Sequence, residues 1–335
     1  MEEQALKLQY DKNYKSYITI AKIVKEKLEY HLNKEGILFD SIPTRVKKYS
    51  SFLDKVNNEG YTDPFNQIKD LCGIRLIHLF DNDLDKIKKV ISKIFKTKTF
   101  HDKTSETIKN KTFHYRSYHM YIYLKEEDCK KNGKNENFIA EIQIRTICMH
   151  AWAEVEHKLN YKNKTDLPEK TKILFLRKFS QMSAILEIAD DIFHVIRESK
   201  KENIKKYGIK VKALQKEGKE LKELNVDSLE AFLLNYFPNT QQDNQRIKYL
   251  LNEMNDANIS LSNFDIAYKN AKKHKLLQHL KDNYPTLNNT PTRTGLSRLI
   301  LEIFNEDFYF LRIKKNRSEK WKNFIELERK NNNEK

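Results

Sequence analysis

Two acids and three cations stand where they could act together on a phosphate group. Asp70 precedes a glycine and a β-rich run in Asp70-Leu71-Cys72-Gly73-Ile74-Arg75, and Glu141 opens Glu141-Ile142-Gln143-Ile144-Arg145-Thr146. Ahead of both lies Arg45-Val46-Lys47, with Ser51 and Lys55 six and ten residues beyond the arginine. A further cluster, His114-Tyr115-Arg116-Ser117-Tyr118-His119, follows Lys111. Phosphoryl or pyrophosphoryl transfer needs a divalent metal held by carboxylates, cations along the polyphosphate and a positioned hydroxyl nucleophile. Two carboxylates on neighbouring strands could share Mg²⁺, a hard cation satisfied by few protein oxygens. Either acid alone would read as an ordinary surface carboxylate; the setting among the other clusters points to a site.

Strands must carry these groups. Side chains alternate along a strand, so in Tyr115 to Tyr123 the residues Tyr115, Ser117 and His119 share one face. In Phe138 to Arg145 the apolar face holds Ala140, Ile142 and Ile144, and the other face holds Glu141, Gln143 and Arg145. Such a polar row marks either a solvated surface or a site. Ile74 to Phe80 is a third short β-rich run. Helical spacing covers Tyr14 to Asn33 (Ile18, Ile20, Ile23, Val24, Leu28, Leu32), Ser50 to Val56, Asp83 to Phe95, Ile147 to Tyr161 and Glu169 to about Lys201 (Phe175, Phe179, Met182, Ile185, Ile188). The polar, lysine-rich stretch Thr97 to Phe113 reads as a loop. This order predicts an α/β (α+β) fold, a mixed β-sheet with helices packed on it.

Beyond Lys200 the pattern changes. Lys201 to Lys222 is charge-dense, a helix or linker, and helical patterns follow at Leu229 to Phe237, Gln245 to Met254, Ser262 to Lys272 and Leu296 to Phe310. We expect two domains, residues 1–204 and a mostly α-helical domain over residues 205–335. With 335 residues and 39% hydrophobic side chains, the chain has enough apolar material for a sizeable core, which argues against wholesale disorder. Cys72, Cys129 and Cys148 form no CxxC pair, which excludes a disulfide framework and an ordinary zinc finger. The charged start is no signal peptide and no apolar run is long enough to span a bilayer, so a soluble, cytoplasmic protein without membrane contact is expected. The net charge of +16 suits polyanionic partners, or equally the solvated faces of a chain rich in Lys and Asn. In the second domain the basic excess gathers around Arg312 to Lys322.

Taken in order, the four clusters resemble the synthetase domain of the RelA/SpoT family of alarmone synthetases. The fourth extends through Trp152-Ala153 and Glu156-His157-Lys158-Leu159-Asn160-Tyr161-Lys162, and the likeness, nearest in layout to small synthetase-only members, covers about residues 15–200. It implies a nucleotidyltransferase-like core that uses Mg²⁺ to move the β,γ-pyrophosphate of ATP onto the 3′-hydroxyl of GDP or GTP, making (p)ppGpp. By the same resemblance Arg45 and Arg75 would sandwich the adenine, a task suited to planar guanidinium groups, while Lys47, Ser51 and Lys55 line the triphosphate. Asp70 and Glu141 would bind metal, with Glu141 helping to deprotonate the hydroxyl. Tyr115 would stack on the guanine, Lys111 would meet acceptor phosphates, and Ser117 and His119 would face the same ligand. Gln143, Arg145, Glu156 and His157 would support the site, and Trp152 reads as core. The resemblance also implies a homo-oligomer built through helices after the core.

One departure concerns His114, which stands where the family usually has glycine before the tyrosine, so the acceptor loop is expected to be shaped differently. A second reading therefore keeps the chemistry and makes the acceptor the 3′-terminal adenosine of tRNA, as in toxin-type members that stop translation. A third is an inactive nucleotide- or RNA-binding module, against which the retention of both Asp70 and Glu141 speaks. Hydrolase activity is not expected, because His101-Asp102 is an isolated dipeptide without an upstream HxxH partner. Residues 205–335 would regulate the enzyme or bind RNA or a partner protein.

Overall fold

Seven residues from Cys72 to His78 form the strand around which the first part of the molecule is built. The computed structural model describes residues 3–102, 117–132, 138–160, 168–217, 224–238, 240, 244–283, 292–313 and 319–333. It divides into two compact units, Met1–Ile196 and Arg197–Lys335.

In the first unit β1 (Phe39–Ser41), β2 (Thr44–Val46), β3 (Cys72–His78), β4 (Lys96–Asp102), β5 (Tyr118–Tyr123) and β6 (Ala140–Thr146) make one sheet. The order is β1-β3-β6-β5-β4, with β2 following β1 along the same edge of β3. Only β3 and β6 pair in parallel; the remaining ladders are antiparallel, so the sheet is mixed. One face is apolar. Ile74, Leu76, Met120, Ile122, Ile142 and Ile144 are buried there with Ile20, Val24 and Leu28 of α1 (Glu3–Lys34) and Ile87 and Ile91 of α4 (Leu84–Ile94). The i, i+4 spacing of those α1 residues lays one stripe on the sheet.

Several elements differ from the sequence expectation. The first helix starts at Glu3, because Leu6, Tyr10 and Tyr17 continue the buried stripe towards the amino terminus. Arg45 lies on a short strand that the sequence did not announce. Residues 97–102, expected within a loop, belong to β4; its side chains are exposed along most of its length, and a lysine-rich edge strand looks like loop composition. Residues 103–113 of that expected loop lie outside the described residues.

Two short helices, α2 (Tyr49–Glu59) and α3 (Pro64–Gln67), bring the chain from β2 to β3. Gly60 ends α2 at φ 65°, a left-handed conformation that glycine adopts without a Cβ penalty. A small helix α5 (Glu126–Asn132) sits between β5 and β6. Helix α6 (Ile147–Asn160) leaves β6 directly, and the Thr146 hydroxyl caps it by accepting the Met149 N–H at 3.1 Å. The 48-residue α7 (Glu169–Lys216) is tied to this region: Thr146 donates to Asp190 at 2.9 Å, and Trp152 Nε1 donates to the Phe179 carbonyl at 3.0 Å. Trp152 is buried against Phe179 and so is core.

The division between the units falls inside α7, at 196/197. The second unit contains α8 (Val226–Tyr236), α9 (Asn244–Asp256), α10 (Leu261–Lys273), α11 (Leu276–Asn283), α12 (Arg293–Phe304), α13 (Glu306–Ile313) and α14 (Glu319–Asn333). Their core includes Leu229, Leu233, Ile247, Leu250, Met254, Phe264, Ile300 and Phe308. Reciprocal capping boxes, Asn225 with Ser228 and Ser260 with Asn263, start α8 and α10. Arg312, counted in the basic cluster of the second domain, is half-buried: its guanidinium meets both Glu302 and Glu253, and Arg298 donates to Glu253 at 2.6 Å. Among the described residues no helix is long and apolar enough to cross a membrane.

Candidate active site

The other face of the sheet gathers the polar residues, and strand register decides which of them meet. Directly paired residues of neighbouring strands point to the same side. Arg45 pairs with Gly73, Gly73 with Glu141, Glu141 with Tyr121, and Tyr121 with Thr99, which makes one row across β2, β3, β6, β5 and β4. Alongside it Arg75, Gln143, His119 and His101 form a second row. Gly73 is the member without a side chain, set between Arg45 and Glu141. A Cβ there would stand 3.6 Å from the Arg45 carbonyl oxygen, an ordinary contact.

Glu141 sits at the centre, only 4% exposed. Its Oε1 accepts from Tyr121 OH at 3.1 Å and from His119 Nδ1 at 2.9 Å, and its Oε2 accepts from Gln143 Nε2 at 2.9 Å. Arg145 donates in turn to Gln143 at 2.7 Å and reaches the buried Ser117 hydroxyl at 3.4 Å. Burial opposes ionisation of Glu141, yet the His119 and Gln143 hydrogen bonds outweigh it and hold the carboxyl below its ordinary range. The polar row of β6 is therefore not a solvated surface; Glu141 and Arg145 are both buried.

Asp70 belongs to the same centre, because its charge is felt at Glu141 and at Tyr121. Lys47 Nζ lies 2.9 Å from one of its oxygens and Lys55 Nζ 3.2 Å from the other. Burial pushes the Asp70 carboxyl up, and the two ammonium groups more than compensate, leaving it below the usual value. The Lys47 N–H donates to the Leu71 carbonyl at 2.9 Å, which anchors that lysine beside Asp70, while Lys55 reaches over from α2. Ser51 stands in the first turn of α2, half-buried, and Arg45 is exposed on β2.

Arg75 is held at 2.5 Å by Glu154 of α6, a partner that sequence reasoning missed. One turn earlier on that helix, burial lowers the pKa of His150, which also feels Glu154, Arg145 and Arg75. Glu156 and His157 lie on the same helix, half-buried and exposed respectively. Tyr121 was missed as well, although the alternation that groups Ser117 with His119 extends to it. Lys111, His114 and Tyr115 lie outside the described residues.

Asp70 and Glu141, two carboxyls held below their usual range, are oxygen donors of the kind a hard divalent cation takes. Among the described residues no three His, Cys, Asp or Glu side chains converge as a metal cluster. Mg²⁺ suits such a sparse site, since it keeps water and substrate phosphates as its remaining ligands.

Residues 44–166 match the region found in RelA / SpoT proteins. The chain is 30% identical over 176 residues to GTP pyrophosphokinase YjbM of Bacillus subtilis, covering 51% of this chain and 79% of that protein. It is also 30% identical over 179 residues to GTP pyrophosphokinase YwaC of the same organism, covering 51% and 76%. Among solved structures, small alarmone synthetase 1 from Bacillus subtilis aligns with a TM-score of 0.49 and 26% identity, over 58% of this chain and 98% of that one.

Proposed function

Because this chain belongs to the RelA/SpoT family, we propose that it transfers the β,γ-pyrophosphate of ATP to the 3′-hydroxyl of GDP or GTP, yielding (p)ppGpp and AMP. The observation that supports this reading is the one sheet face that carries Arg45, Arg75, Glu141 and His119, with Asp70 two residues ahead of β3. Arg45 and Arg75 flank the place assigned to the adenine. Lys47 and Lys55, which rest on Asp70, are the cations for the triphosphate. Asp70 and Glu141 would hold Mg²⁺, which when bound neutralises charge on the transferring group. Glu141, whose donors favour its ionised form, would accept the proton of the attacking hydroxyl. Gln143 donates to Glu141, and Arg145, which also reaches the Ser117 hydroxyl, holds Gln143 in turn. Lys111 and Tyr115 are assigned to the acceptor through their motif alone.

A second reading, with the 3′ end of tRNA as acceptor, is favoured by one feature of the second unit. Residues 197–216 of α7 carry exposed Lys200, Lys201, Lys205, Lys206, Lys210, Lys212 and Lys216 against two acids, Glu198 and Glu202. A row of cations along one helix suits a polyanion. One experiment separates the readings: purified protein with γ-labelled ATP, Mg²⁺ and either GDP, GTP or bulk tRNA. Label in the guanosine nucleotide supports the first, label in tRNA the second, and label in neither refutes both.

A further inference from the structure

Glu141 has four in-plane lone pairs when ionised, and the structure distributes them unevenly. Tyr121 OH and His119 Nδ1 both donate to Oε1, which fills that oxygen. Among the described residues only Gln143 donates to Oε2, leaving that oxygen one open lone pair. Tyr121 is itself held on three sides. Its backbone pairs directly with Glu141 across β5 and β6, the His101 ring meets its ring edge-on at 5.7 Å, and Lys69 Nζ lies 5.4 Å from its ring centroid. An aromatic ring clamped in this way delivers its hydroxyl to a set point, and the rotamer of Glu141 follows from it.

We infer that Tyr121 is a positioning residue that, with His119, occupies Oε1 of Glu141 and thereby makes Oε2 the oxygen that meets metal or the acceptor hydroxyl. This rests on Glu141 being the reacting carboxylate, as proposed above. It adds to that reading a residue outside the four sequence clusters' assigned roles, and it names the working atom.

The test is Tyr121→Phe in the full chain, which keeps the ring, its contact with His101 and its place under Lys69, and removes only the hydroxyl. Loss of one hydrogen bond to a charged group predicts a kcat lower by about tenfold, with KM for ATP and acceptor within about twofold of the parent. A second measurement needs no turnover: Mn²⁺ titrated by electron paramagnetic resonance in the presence of a non-hydrolysable ATP analogue. Tyr121→Phe should bind Mn²⁺ several-fold more weakly, because the carboxylate is free to turn. Unchanged kcat and Mn²⁺ affinity would overturn the inference. So would tighter Mn²⁺ binding, which would make Tyr121 a competitor of the metal, or a fall in thermal stability with kcat intact, which would make it packing alone. If the parent protein transferred no pyrophosphate to any acceptor, the functional reading would fail, and the Mn²⁺ titration would still decide the role of Tyr121.

Discussion

Arg75 and Glu154 are joined by a 2.5 Å ion pair that ties β3 to α6. Both side chains are 36% exposed, so the pair contributes less than about 1 kcal/mol to stability. Its consequence lies in binding, because the guanidinium proposed to stack on the adenine is here engaged by a carboxylate. Replacing Arg75 by Ala should raise KM for ATP by about tenfold through loss of the stack, with the melting temperature nearly unchanged. Replacing Glu154 by Gln should lower KM for ATP by about two- to threefold, since the guanidinium no longer has to leave an ionised partner. Initial rates at varied ATP check both, and a raised KM in the Glu154 variant would contradict this account.

The two central acids should separate by stability rather than by activity. Glu141→Gln and Asp70→Asn each remove a carboxylate proposed to hold Mg²⁺ beside the transferring group, and a fall in rate of about 10³-fold or more is expected for either. Asp70→Asn also leaves Lys47, whose side chain is 10% exposed, beside a neutral amide. That variant should lose about 1–3 kcal/mol in urea denaturation. Glu141→Gln sets an amide NH2, which cannot accept, against one of the donors to Glu141 in a site only 4% exposed, and should lose more. Equal stability losses would contradict the donor arrangement described for Glu141.

His78 gives a pH dependence unrelated to catalysis. It is fully buried, Nδ1–H donates to the Phe80 carbonyl at 3.0 Å, and burial lowers its pKa from 6.5 to about 4. The unfolded chain binds a proton near pH 6.5 and the folded chain only near pH 4. Stability from this residue is therefore complete above about pH 6.5 and is lost as the pH falls towards 4, by about 3 kcal/mol. His78→Gln should flatten that part of the stability profile. Denaturation series across this window for both proteins provide the check, and parallel profiles would rule His78 out as the source.

In the second unit Arg312 stands between Glu253 and Glu302 with its side chain 11% exposed. Arg312→Ala removes one partner of a buried network and should cost about 3–5 kcal/mol. An exposed cation of α7 such as Lys205 should tolerate Ala within about 0.5 kcal/mol. If RNA binds this unit, Lys205 rather than Arg312 should govern the salt dependence of binding, which filter binding at several ionic strengths measures.

The contrast between Arg312 and Lys205 shows where sequence reading ends. Composition counts both as basic residues, and only packing tells which one is spent inside. What the sequence determined by itself was local. The alternation that groups Glu141, Gln143 and Arg145 follows from backbone stereochemistry, as does the helical stripe of Ile20, Val24, Leu28 and Leu32, and neither needs a distant neighbour. The motif spacing likewise named Asp70, Lys47 and Lys55 without any knowledge of how they meet. Tertiary structure decided everything that depends on two remote segments being brought together. Register set Gly73 and Tyr121 on either side of Glu141, and α6 carried Glu154 to Arg75 across 79 residues of chain. The sheet edge made a strand of the lysine-rich residues 96–102. Periodicity is a property of one segment and is written in it, whereas register and ion pairing are properties of pairs of segments, chosen by which packing buries the most apolar surface while leaving each buried charge a partner.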